Sequence, residues 1–179
     1  MRAFRLTAFH RIALLLAFLC LAPVLHAQKD SWQTFSYPSE GFSISLPSAP
    51  TMNSQEVPTE VGTFQLRAYL VESNSAALYV GICDYGEKAL GRDPQTVLKG
   101  AKEGAVSNVK GHLIRERAIT LGTAPGVEFE AENDTLHFFA RIYFVGTTLY
   151  QTLTAAPIND PYPYVMRFED SFQFIPRTR

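Results

Sequence analysis

Apolar and polar residues alternate with a period of two through much of this chain, and that period marks strands with one buried face. Phe42, Ile44 and Leu46 alternate with Ser43 and Ser45 until Pro47 and Pro50 end the run. Phe64, Leu66, Ala68 and Leu70 alternate with Gln65, Arg67 and Tyr69, and Leu78, Val80 and Ile82 repeat the pattern with Tyr79 and Cys83 opposite. These two runs predict neighbouring antiparallel strands joined near residues 72–75. The period lengthens after Asp93 and Pro94, a pair that starts helices because Asp caps free backbone N–H groups and Pro sits where none is needed. A helix is expected to about Asn108, with Val97, Leu98, Ala101 and Ala105 inward and Lys99, Lys102 and Glu103 towards water. A second helix is expected from Asp160 and Pro161, carrying Tyr164, Val165, Phe168 and Phe172 inward, with Pro163 kept to its first turn.

Between the helices, turn chemistry sets a register. A two-residue turn at Asn133-Asp134 makes paired positions sum to 267, which sets Val127 against Ala140, Phe129 against Phe138 and Ala131 against Leu136. A turn at Gly146-Thr147 makes the next pairs sum to 293, setting Phe138 against Ala155, Ala140 against Leu153 and Phe144 against Leu149. One face then stays apolar across three strands, except where Gln151 falls opposite Ile142.

The opposite face of this meander collects the polar candidates. It carries Glu128, Glu130 and Glu132, then His137, Phe139, Arg141 and Tyr143, then Tyr150, Thr152 and Thr154. The same register faces Glu130 with His137, Tyr143 with Tyr150 and Arg141 with Thr152. A solvated or helix-covered sheet face is the plain expectation. The sharper one is a shallow binding surface, with Arg141 for an anionic group and Tyr143 and Tyr150 as aromatic platforms, beside His137 and Glu130.

Composition and charge narrow the classes. The chain has 179 residues, 46% hydrophobic and 18% charged, enough apolar surface for about one folded domain. Sixteen basic against seventeen acidic residues give a net charge of -1, so no electrostatic footprint for nucleic acid or anionic lipid is present. Arg2, Arg5 and Arg11 precede the apolar run from Ile12 to Leu21, the layout of a secretory signal peptide, with cleavage expected after Ala27. Residues 28–179 are then the mature domain, periplasmic or secreted, with a net charge of -4 and no membrane span. Cys83 is left alone, so no internal disulfide can form.

Catalytic and metal signatures are absent from the sequence. HExxH, paired CxxC, Walker and GxGxxG motifs do not occur, and Gly41-Phe42-Ser43-Ile44-Ser45 reads as a strand rather than a nucleophile elbow. His112 and His137 have no nearby Cys, so neither a metal nor a cofactor is expected. Asn133-Asp134-Thr135 matches a glycosylation acceptor, but the turn accounts for it.

Several segments resemble a known group in order and spacing. Trp32 and Phe35 precede Ser39-Glu40-Gly41-Phe42-Ser43-Ile44-Ser45-Leu46-Pro47 and Pro50, and Lys99-Gly100-Ala101-Lys102-Glu103-Gly104-Ala105 follows. Gly122 with Pro125-Gly126-Val127-Glu128-Phe129, then Ala140-Arg141-Ile142-Tyr143, Leu149-Tyr150-Gln151, and Phe168 with Ser171-Phe172 complete the series. Together they resemble small exported bacterial proteins related to PsbP, the extrinsic subunit of photosystem II. The resemblance implies an α+β fold, a central antiparallel β-sheet flanked by helices in an α/β/α sandwich, an architecture shared with a nuclear-import factor that binds a Ran-type GTPase. It also implies an interaction module rather than an enzyme, and together with the signal peptide and the absent catalytic motifs it leads to the expectation of an envelope or periplasmic protein as partner. A small-ligand or lipid carrier using the polar-aromatic face, and a hydrolase with Ser or Cys83 set against His112 or His137, are the two other readings.

Overall fold

The computed structural model describes residues 32–59 and 62–178. The expected signal peptide and its cleavage position lie outside them. Ten strands and two helices follow one another as β1 (Gln33–Tyr37), β2 (Phe42–Leu46), β3 (Thr51–Thr59), β4 (Gly62–Glu72), β5 (Ala77–Asp84), α1 (Pro94–Asn108), β6 (His112–Leu121), β7 (Ala124–Glu132), β8 (Leu136–Val145), β9 (Thr148–Pro157), α2 (Val165–Glu169) and β10 (Gln173–Phe174). A seven-stranded sheet runs in the order β3-β4-β5-β9-β8-β7-β6, and its pairings are antiparallel. A three-stranded sheet, β1-β2-β10, forms a second layer.

The strand alternation divides the large sheet into two apolar faces. On one face Phe129, Ala140, Ile142, Phe144 and Leu149 pack with Leu98 and the partly buried Val97, Ala101 and Ala105 of α1. On the other, Tyr69, Val71, Leu78, Val80, Ile82, Tyr143 and Tyr150 pack with Phe42, Ile44 and Leu46 of β2 and with Phe168 and Phe172. The strands β4, β5, β8 and β9 therefore contribute side chains to both cores, which is why Tyr69 alternates with the apolar Ala68 and Leu70 rather than with charges.

The first helix begins where the sequence predicts. Asp93 accepts from Gln95 N and Thr96 N, and Pro94 occupies the first helical position. The second is shorter than expected. Residues 160–163 form turn and coil, and α2 is a single helical turn from Val165, although Phe168 and Phe172 do point inward. A helical layer on both faces is thus a correction: α1 covers one face, while the small sheet and α2 cover the other.

The Gly146-Thr147 register holds, with Ile142 opposite Gln151 and Tyr143 opposite Tyr150. The Asn133-Asp134 register is displaced. Asn133 Oδ1 accepts from Thr135 N and Leu136 N, and Asn133 N donates to Leu136 O. This side-chain-closed turn takes in residues 133–136 and pairs Glu132 with His137, Ala131 with Phe138, Phe129 with Ala140 and Val127 with Ile142. The pair sum rises by two, and an even displacement leaves every side chain on its expected face. Asn133 Nδ2 also donates to Val109 O, so the amide of the glycosylation match serves the turn.

Candidate functional site

The polar face of the meander is not an open surface. Tyr143 is stacked on Phe172 with ring centroids 5.9 Å apart, and Tyr150 lies against Phe172 and Phe174. Tyr150 donates its hydroxyl proton to Glu40 O at 2.8 Å and accepts from Arg177 Nη2 at 3.0 Å. Burial pushes both phenols above their usual range. The expected aromatic platforms are therefore core residues, covered because β10 and the segment before it carry Phe172 and Phe174 back over the sheet.

Arg141 is also internal, with 11% of its side chain exposed. Its Nε donates to Glu128 Oε2 at 2.9 Å and its Nη1 to Asp170 Oδ1 at 2.8 Å, so its charge is spent on these two carboxylates. Burial alone would raise Glu128, but hydrogen bonds from Arg117 and Arg141 outweigh it and hold that carboxyl below the usual range. Arg117 Nε donates to Glu128 Oε1 at 2.6 Å, completing a row of alternating charge from β6 across β7 and β8 to the end of α2.

A second row runs parallel to it. Arg115 is paired with Glu130, and Glu130 Oε2 lies 3.3 Å from His137 Nε2. Glu130 and His137 therefore meet, as expected, but diagonally, because the displaced register sets Glu130 opposite Phe139. These three residues form one end of a cleft of about 240 Å³ whose remaining wall includes Phe139, Ala156, Tyr162, Val165 and Met166. Of the five expected site residues, His137 and Glu130 line this cleft, Arg141 braces its neighbourhood, and Tyr143 and Tyr150 lie in the core.

Glu169 was not singled out by the sequence. Its side chain is 1% exposed, and its carboxylate accepts from the hydroxyls of Thr152 and Thr154. Burial pushes its pKa up to about 8, because two hydroxyls and a nearby Arg141 charge replace little of the lost hydration. Arg115 and Arg117 were also missed, although a turn at Gly122-Thr123 would have found them. Gly122 has φ +60°, and pairs summing to 245 set Arg115 against Glu130 and Arg117 against Glu128.

Among the described residues neither His112 nor His137 is set against a nucleophile. His137 faces Glu130, His112 is exposed near the start of β6, and Cys83 sits on the α1 side of the sheet. Burial raises the Cys83 thiol, and a hydrogen bond with Tyr85 only partly offsets this. Among the described residues no group of three His, Cys, Asp or Glu side chains is arranged to hold a metal.

No family model and no curated protein matches the chain. Among solved structures, a cyanobacterial PsbP from Synechocystis is similar over 81% of this chain and 93% of that one, at 12% identity and a TM-score of 0.52. A Pseudomonas aeruginosa protein of unknown function covers 72% of this chain and 85% of its own at 8% identity, with a TM-score of 0.37. The second likeness is too low to argue from. The first shows that this chain has a PsbP-like fold.

Proposed function

We propose that this chain is an exported, non-enzymatic interaction module that binds another protein of the cell envelope or periplasm. The observation that carries this reading is the closed interior. Phe42, Phe168, Phe172 and the sheet tyrosines fill the space between the two layers, and the buried charges of this face, Arg141 and Glu128, are paired with each other, with Asp170 and with Arg117. Every buried side-chain polar atom among the described residues has a hydrogen-bond partner. An interior so satisfied offers nothing for a ligand to complete, which leaves the outer surface as the part that can recognise a partner. The basic n-region and apolar run before Ala27 support export.

Residues 28–179 bearing a photocrosslinker at Met52, Ile114 or Met166, all exposed, test it in native envelope extract. A discrete protein adduct from one position and not the others is expected. Loss of specific adducts from every position would overturn the reading.

A small-ligand carrier is the second reading, favoured by the cleft beside His137 and Phe139. Native mass spectrometry of the purified mature chain tests it. A bound small molecule that Phe139→Trp releases would support it, and a bare protein mass would count against it.

A further inference from the structure

The seven-stranded sheet ends on one side at β6, a ten-residue strand whose outer edge has no partner among the described residues. Residues 112–118 are all exposed. Leu113 and Ile114 are 40% and 46% exposed, and Ile114 sits at the irregularity where the register with β7 shifts. An edge of this length with unpaired backbone N–H and C=O groups is a template for an added strand unless its side chains forbid one.

The side chains of β6 forbid some partners and favour others. Arg115 and Arg117 project on one face, with 70% and 66% of their side chains exposed, while Glu116 projects on the other and is held by Lys102 of α1. Glu130 and Glu128 each take up one edge of the two guanidinium groups, on the β7 side. A second copy laid antiparallel along β6 about Glu116 would set Arg115 against the copy's Arg117 twice, and Glu116 against Glu116. Like charges directly opposite one another destabilise such a pair, so this register of self-association is disfavoured.

We propose that β6 is a docking edge for an extended acidic segment of another protein, which adds as a further strand with carboxylates at alternate positions opposite Arg115 and Arg117. Each guanidinium then bridges two carboxylates, one from β7 and one from the incoming strand, in the manner that Arg141 already bridges Glu128 and Asp170. A cationic or neutral residue between the two acids lies opposite Glu116, and an apolar residue beside them lies opposite the exposed Ile114. Backbone hydrogen bonds supply affinity and the charge pattern supplies selection, which is how strand addition divides these tasks.

This inference deepens the interaction-module reading and rests on it. Its test uses the mature chain and two capped peptides, Thr-Val-Glu-Lys-Glu-Val-Thr and the inverted Thr-Val-Lys-Glu-Lys-Val-Thr, followed by amide chemical shifts and hydrogen exchange. The first peptide is expected to shift and protect amides of residues 112–121, with about a tenfold preference over the second, since three cross-strand charge pairs, at Arg115, Glu116 and Arg117, change sign between them. Arg115→Gln should cut that preference to about fivefold, the loss of one pair in three, and Arg117→Gln serves if that variant does not fold. Equal binding of the two peptides, protection centred on β3, or no protection at all would each overturn the β6 site. Because the peptides need no envelope partner, such a failure removes this edge and leaves the broader reading to the crosslinking experiment.

Discussion

Glu169 is the residue at which a single substitution tests the covered face most sharply. Its carboxyl is buried between the Thr152 and Thr154 hydroxyls, and the charges that face it are Arg141 from β8, which favours ionisation, and Glu128 from β7, which opposes it. Burial dominates, so the folded-state pKa rises from 4.5 to about 8. A carboxyl raised in this way binds more protons folded than unfolded. Its contribution to stability is therefore complete below pH 4.5 and is lost as pH rises through 8. At about 1.4 kcal/mol for each pH unit, the loss across that window is at most on the order of 5 kcal/mol, a large share of a typical domain's stability.

Glu169→Gln keeps the volume and an oxygen acceptor for Thr152 but cannot ionise. Wild type and variant should be of similar stability at pH 5 in urea unfolding, and the variant should be clearly the more stable at pH 9. Glu128 is held low and Asp84 likewise, so both act below pH 4.5 and leave this window to Glu169. Parallel loss of stability in both proteins between pH 5 and 9 would refute the burial of Glu169 and, with it, the closure of this face by α2.

Other substitutions probe the same layers. Phe172→Ala removes the ring shared by Phe42, Tyr143, Tyr150 and Phe174, and should cost roughly 3 to 5 kcal/mol in denaturant unfolding; a loss under about 1 kcal/mol would mean the small sheet is not packed there. Arg141→Ala leaves buried Glu128 with Arg117 alone and should destabilise by about 3 kcal/mol at pH 7, whereas an exposed arginine would cost almost nothing. Tyr150→Phe deletes the bonds to Glu40 and Arg177 and should cost about 1 kcal/mol, measured as a shift in the urea midpoint. Cys83, buried and raised, should react with a thiol reagent only as fast as the protein opens, and rapid native-state labelling would contradict its place under α1.

The meander was legible because its information is local. Alternation fixed the faces of β7, β8 and β9, and an error of two in the β7–β8 pair sum moved no side chain to the wrong side. The start of α1 was legible for the same reason, since Asp93 and Pro94 act within one turn. What covers a face is set by tertiary packing. Nothing local in Tyr143 or Tyr150 distinguishes an aromatic platform from a core ring, and the answer lies well further along the chain in Phe172 and Phe174. β3 carries a run of polar residues at an edge and β10 has only two residues, so neither gives a periodic signal. Glu169 follows Phe168 in a helix of one turn, too short for a pattern to mark it as inward.

The most direct measurement is solvent paramagnetic relaxation across the amides and rings of residues 28–179, using a neutral soluble probe. Tyr143, Tyr150 and Thr152 should be shielded as fully as Ile142, while residues 112–118 along β6 should relax strongly. Strong relaxation of Tyr143 and Tyr150 would instead place the binding surface on the polar face of the meander and contradict a closed interior.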